Sequence, residues 1–441
     1  MINAPSDSLE TLSKRRSFLR KSLAAGPAAA IAASTMMPNT ASAAVGTTGY
    51  FFNVMDYGAT GLGTADDTTA IQAAINAAIA VGGGVVLLPA GKYLVSGSLT
   101  LDSSITTAHV TLQGAGPGPI QDGTVYQGGT TILIPTSSAN DALVVSYSDS
   151  VTIKSLSIVS TSPRSSGRGI YLNGGTNVVI EDVFLKNQAI GIHVYGGYGH
   201  RIDRGWWTIP PNGIGLWIDG NSTVGSNDTY INGISCNGGW AAFRIQNTGG
   251  AWMSQCDSIS STCGLLIDPI AGQEVLWCSF EACAFDTASN SPIIIGPAGG
   301  KVRGLTFVEC WSASVTAGVG SCFVIAGDVD GVQIVGQRIL NAASGNGLWV
   351  SGAKNIYVDS SVAFDLPNGA GFSFVSTTNF AIRNCHSGPY AGLPGNKYGV
   401  YIDSGCSHYV VQGCTLNGNT TALTDGGAAP KAVLAGSNLL T

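Results

Sequence analysis

The chain has 441 residues, of which 44% are hydrophobic, 10% are charged and 61 are glycine, and its formal net charge is −6. That hydrophobic content excludes a disordered chain. The acidic balance argues against nucleic acid and anionic membranes as partners, and a polyanionic ligand would need a local basic site.

Residues 1–43 read as an export signal. Arg15-Arg16, Phe18 and Leu19 stand in the register of a twin-arginine signal. An Ala-rich run from Leu23 to Met37 follows, then the small-residue cleavage site Ala41-Ser42-Ala43. The run is too short to span a bilayer. The expectation is a protein exported by the twin-arginine route to the periplasm or the cell exterior, beginning near Ala44. Removing the signal leaves 15 basic against 24 acidic residues. All ten cysteines lie between Cys236 and Cys414, without CxxC metal pairs. A chain that folds before export meets a reducing cytosol first, so mostly buried free thiols are expected.

Residues 44–100 are expected to hold a cap helix and the first strands. In the stretch Thr64 to Ala78, with Ile79 just beyond, Ile71, Ile75 and Ile79 recur at i, i+4 and i+8 and form one apolar stripe. Asp66 and Asp67 occupy the N-cap and first-turn positions, where free amides and the helix dipole favour acids. Gly82-Gly83-Gly84 stops the helix, and Val85 to Tyr93 starts the sheets.

Residues 101–441 show a different beat. From Gly169 to Asp403 a short unit recurs ten times: a small residue, then apolar, variable, apolar, variable. Its first apolar positions are 22 to 30 residues apart. A longer unit alternates with it, as in Val151 to Ile158 and Val178 to Leu185, with later copies at Phe380 and Tyr409. Period-two alternation marks half-buried strands. Two or three strands in about 25 residues are too few for a propeller blade, and the helical segments of leucine-rich repeats are missing. The expected fold is all-β, a single-stranded right-handed parallel β-helix whose rungs stack about 4.8 Å apart. The helix then has a function: the first rung exposes apolar groups and unpaired strand edges and needs a cover.

Phe52 to Ala59, Gly63 to Ile71 and Gly83 to Tyr93 together resemble the N-terminal segment of the pectate-lyase-like superfamily. Rhamnogalacturonase- and epimerase-type proteins and phage tailspike depolymerases share that segment. The resemblance implies a right-handed parallel β-helix and an extracellular carbohydrate substrate. It does not fix the reaction. The polygalacturonase-type motifs are not present in order, and Gly199-His200-Arg201-Ile202 is only a partial echo. Asp66-Asp67 is read as capping, not as a catalytic dyad.

In each short unit the apolar positions point inward and the variable ones outward. The first outward column begins Tyr171, His193, Trp217, Arg244, Leu266; the second begins Asn173, Tyr195, Asp219, Gln246, Asp268. Catalytic candidates are Asp219, Asp268, Arg244 and His193, and substrate-binding candidates are Tyr195, Trp217, Gln246 and Tyr171. Asp219 and Asp268 share a column two rungs apart, about 9.6 Å between backbones, and carboxyls at such separations suit an inverting glycosidase. Arg244 could hold a substrate carboxylate or hydroxyl, and Trp217 and Tyr195 could stack on sugar faces. The same residues permit β-elimination on a uronate, with Arg244 or His193 as base and Asp219 and Asp268 holding Ca²⁺. Hydrolysis is preferred because the strip has few cations, and it requires no cofactor or metal. A solvated polar face would also produce such a strip, and the isolated Asp403 illustrates that. Asp203 and Asp228 are reserve candidates, while His109, His386 and His408 read as turn residues. Three function classes follow: a polysaccharide-cleaving enzyme, a carbohydrate-binding solenoid, and a structural solenoid. A monomer and a homotrimer are both open.

Overall fold

A computed structural model describes residues 50–440 apart from 103–107, 119, 122–123, 126–127, 221–224, 316–319, 343 and 434–436. The expected twin-arginine signal, residues 1–43, falls outside the described residues. The architecture is the all-β parallel β-helix. Thirteen described strands, from Leu99–Asp102 to Thr421–Asp425, stack in sequence order in one parallel sheet. Each therefore pairs with the strands one rung before and one rung after. A second sheet of 25 described strands forms the remaining walls. There, long strands bridge two short ones: Lys301–Val308 pairs with both Glu274–Leu276 and Ser279–Glu281.

Stacked rows of left-handed residues make two corners of the rungs. In one, Ser155, Asp182 and Arg204 have positive φ and Gly233 stands at the equivalent point; in the other, Trp277, Asn355, Asn379 and His408 do, with Gly304 and Gly331 at equivalent points. Such backbone suits Gly, Asn and Asp best. The interior is mainly apolar among the described residues. Ile192, Leu216, Phe243 and Leu265 are direct register partners and form one buried column, as the repeat requires. The ten cysteines are all buried and free.

The helix Thr68–Ala80 buries Ile71, Ala74, Ile75 and Ala78, while Ile79 packs at its margin. It also covers a strand edge directly. The Gln72 side chain accepts from the Thr100 amide at 2.8 Å and donates to the Thr100 carbonyl at 3.0 Å, so it stands in for a neighbouring strand. The two acids divide their work differently from expectation. Asp66 Oδ1 accepts from the Thr68 amide at 3.0 Å. Asp67 occupies the N-cap but makes no cap bond; its buried carboxylate instead holds the Thr60 and Gly61 amides at 2.6 and 3.2 Å. Among the described residues no helix is long and apolar enough to cross a membrane.

Candidate active site

Five consecutive strands of the thirteen-stranded sheet carry the candidate strip: Arg168–Asn173, Ile190–Tyr195, Ile214–Asp219, Ala241–Ile245 and Cys263–Ile267. Their register places Tyr171, His193, Trp217, Arg244 and Leu266 in one column. Asn173, Tyr195 and Asp219 form the next. Gln246 and Asp268 each follow a strand end in register, so they extend that second column. The eight residues proposed from sequence thus lie together on one wall. The reserve acid Asp203 does not join them, because its strand pairs within the other sheet.

The column spacing forces the aromatic side chains into contact. His193 stacks on Trp217 with centroids 4.4 Å apart and planes within 7°. From the next rung the Arg244 guanidinium sits 4.9 Å from the Trp217 ring centroid and 5.2 Å from that of Trp240. Column neighbours therefore occupy the Trp217 ring, and the exposed rim aromatic is Trp240, at 40%. Trp217 Nε1 donates to Gln246 Oε1 at 2.9 Å, and Gln246 Nε2 donates to the Asp268 carbonyl at 3.1 Å. Both ends of the Gln246 amide are engaged, so it braces the strip.

Arg168 and Asp141 complete the site from below. Arg168 forms a forked pair with Asp141, Nη2 to Oδ2 at 2.8 Å and Nε to Oδ1 at 2.9 Å. Its guanidinium lies 3.4 Å from the Tyr171 ring centroid, and Nη1 contacts His193 Nδ1 at 3.0 Å. Arginine can only donate, so Nδ1 must accept, and this network assigns the imidazole proton to Nε2. Nε2 lies 4.0 Å from Asp219 Oδ2 and has no closer partner. Burial, reinforced by Arg168, pushes His193 down to about 3, so the ring is neutral at physiological pH.

The two carboxyls differ. Burial raises both above the ordinary range. Asp268 is clamped by Arg244, Nε to Oδ1 at 3.0 Å and Nη2 to Oδ2 at 2.7 Å, which opposes that rise. Asp219 has no bonded cation; Gln273 Nε2 donates to its Oδ1 at 3.1 Å. Arg244 thus engages both Asp268 oxygens. Among the described residues no cluster of three or more His, Cys, Asp or Glu could hold a metal.

Arg168, Asp141 and Gln273 were not identified from sequence. Arg168 precedes the repeat's small residue and so falls outside its template. Asp141 likewise precedes the small residue of an earlier copy, Ala142-Leu143-Val144-Val145-Ser146, whose Leu143 pairs with Ile170. Gln273 reaches Asp219 across 54 residues of chain, and no periodic signal marks it.

The family model described as "Rhamnogalacturonase A/epimerase, pectate lyase-like" matches residues 51–267. The fold is a parallel β-helix. Mannuronan C5-epimerase AlgE3 of Azotobacter vinelandii is 56% identical over 69 residues, which are 15% of this chain and 4% of the relative. Alginate lyase 7 of the same bacterium is 51% identical over 69 residues, 15% of this chain and 8% of the relative. The chain thus spans less than a tenth of the length of these curated relatives. The solved structure of DFA-IIIase from Arthrobacter chlorophenolicus A6 superposes with a TM-score of 0.59 at 11% identity, over 82% of this chain and 94% of the other. At that identity the likeness concerns the fold alone.

Proposed function

We propose that this chain is an exported enzyme that hydrolyses glycosidic bonds of a polysaccharide. One observation carries the reading: Asp219 and Asp268 share a column, but only Asp268 is bonded to a cation. Environments that separate two carboxyls in this way assign acid and base. Asp219, raised by burial, gives a proton to the leaving oxygen. Gln273 Nε2 holds Oδ1, and the Gly220 amide also bonds this carboxyl. Asp268, kept ionised by Arg244, takes a proton from the attacking water on the opposite face of the sugar. Tyr195 and Trp240 offer apolar surfaces to the sugar, and His193 stiffens the wall beside Asp219.

A second reading, elimination or epimerisation on a uronate polymer, is favoured by the activities printed for the curated relatives. The geometry supports it less well. Both arginines of the strip are already bonded to Asp141 and Asp268, and the His193 lone pair faces Arg168. An assay panel of neutral and uronate polysaccharides separates the two. New reducing ends without ultraviolet absorbance mean hydrolysis. Absorbance of an unsaturated uronate, or a changed uronate signature by NMR with intact chains, would reject it.

A further inference from the structure

The turns beside the strip build a pocket that no repeat position announces. Asn227, Asn247, Gln273, Glu274 and Lys301 line a cavity of about 470 Å³, a volume suited to a small ligand. Gln273 belongs to both places. It is only 8% exposed, and its Nε2 donates to Asp219 Oδ1 at 3.1 Å and to the Gly220 carbonyl at 3.0 Å. Its Oε1 accepts from the Ile270 amide at 3.2 Å. The pocket wall and the Asp219 carboxyl are therefore one hydrogen-bonded unit.

The lining chemistry matches hydroxyl groups. Asn227 Oδ1 accepts from the Gly249 amide at 2.6 Å, which fixes the carboxamide and turns its NH₂ away from that bond. Asn247 Oδ1 is held in the same manner by the Glu274 amide at 3.4 Å. Lys301 Nζ pairs with Glu274 Oε1 at 3.2 Å, so donor and acceptor stand side by side and their charges balance. An entering carboxylate would meet Glu274; vicinal hydroxyls would find a partner for each role. Glycine lets these turns pack closely: a Cβ at Gly249 would come 2.4 Å from Asn227 Oδ1, and one at Gly300 would come 2.5 Å from the Ile270 carbonyl oxygen.

Resting on the hydrolase reading, we infer that this pocket is the subsite for an uncharged sugar residue next to the bond cleaved, tied to Asp219 through Gln273. The test is hydrogen–deuterium exchange on the full chain carrying Asp219→Asn, with neutral glucose hexasaccharides of different linkage and with hexamannuronate. The expected result is slowed exchange at residues 247–249 and 272–274 with a neutral hexasaccharide. Asn227→Ala and Lys301→Met should each weaken that binding roughly tenfold, the loss of about one hydrogen bond. Protection of the Tyr195 and Trp240 segments with these turns unchanged would overturn the subsite and leave the hydrolase reading standing. Protection by hexamannuronate alone would overturn the uncharged sugar. No protection by any of these probes would overturn both.

Discussion

His193 should remain neutral far below the pH at which an ordinary histidine charges. The ring is 6% exposed, stacked on Trp217 and held at Nδ1 by a cation. Its pKa falls from 6.5 to about 3. Between those values the unfolded chain binds a proton that the folded chain refuses. Stability from this residue is therefore complete above about pH 6.5 and declines as the pH falls toward 3. At 1.36 kcal/mol per pH unit, acidification from pH 7 to pH 4 should cost about 3 kcal/mol at this one site. His200, also buried and shifted downward, acts in the same direction. Guanidinium unfolding at pH 7 and pH 4 isolates His193 when wild type is compared with His193→Gln, which keeps an acceptor for Arg168. The variant should lose most of that pH-dependent difference. The sharper measurement is an NMR titration assigned with the same variant: the His193 ring signals should stay unmoved from pH 8 to pH 5. A midpoint near 6.5 would refute the buried, cation-facing ring, and with it the proton placement on Nε2.

Other outcomes follow from the same geometry. Asp219→Asn should lower polysaccharide cleavage at least about a hundredfold, the scale of a lost proton-transfer group, with binding of the uncleaved polymer retained; full activity would remove the proposed acid. Arg244→Met leaves Asp268 buried without its cation and should destabilise the fold by about 3 kcal/mol or more. The double change Arg244→Met/Asp268→Leu should recover much of that, read by thermal unfolding, and no recovery would argue against a desolvated pair. Phe243→Ala opens a cavity in the interior column and should cost about 3–5 kcal/mol, while Trp240→Ala at the rim should leave the unfolding midpoint nearly unchanged and weaken polysaccharide binding.

The fold was legible because a solenoid writes its geometry as a period. Ile192, Leu216, Phe243 and Leu265 recur at one rung's spacing, and parallel pairing turns equal spacing into vertical contact. The same rule placed the eight strip residues on one wall, since outward positions follow once the inward ones are known. Ile71 and Ile75 announced the cap because a helical stripe stands out against period two. Sequence alone, however, assigns a residue only to a face. It could not show that Arg168 reaches His193, that Arg244 binds Asp268 and not Asp219, or that Gln273 returns to Asp219 from a turn two rungs onward. Those contacts depend on rotamers and on turns of unequal length, neither of which repeats. Tertiary structure therefore decided which carboxyl has a cation and which has none, and that difference in surroundings makes two identical side chains chemically unlike.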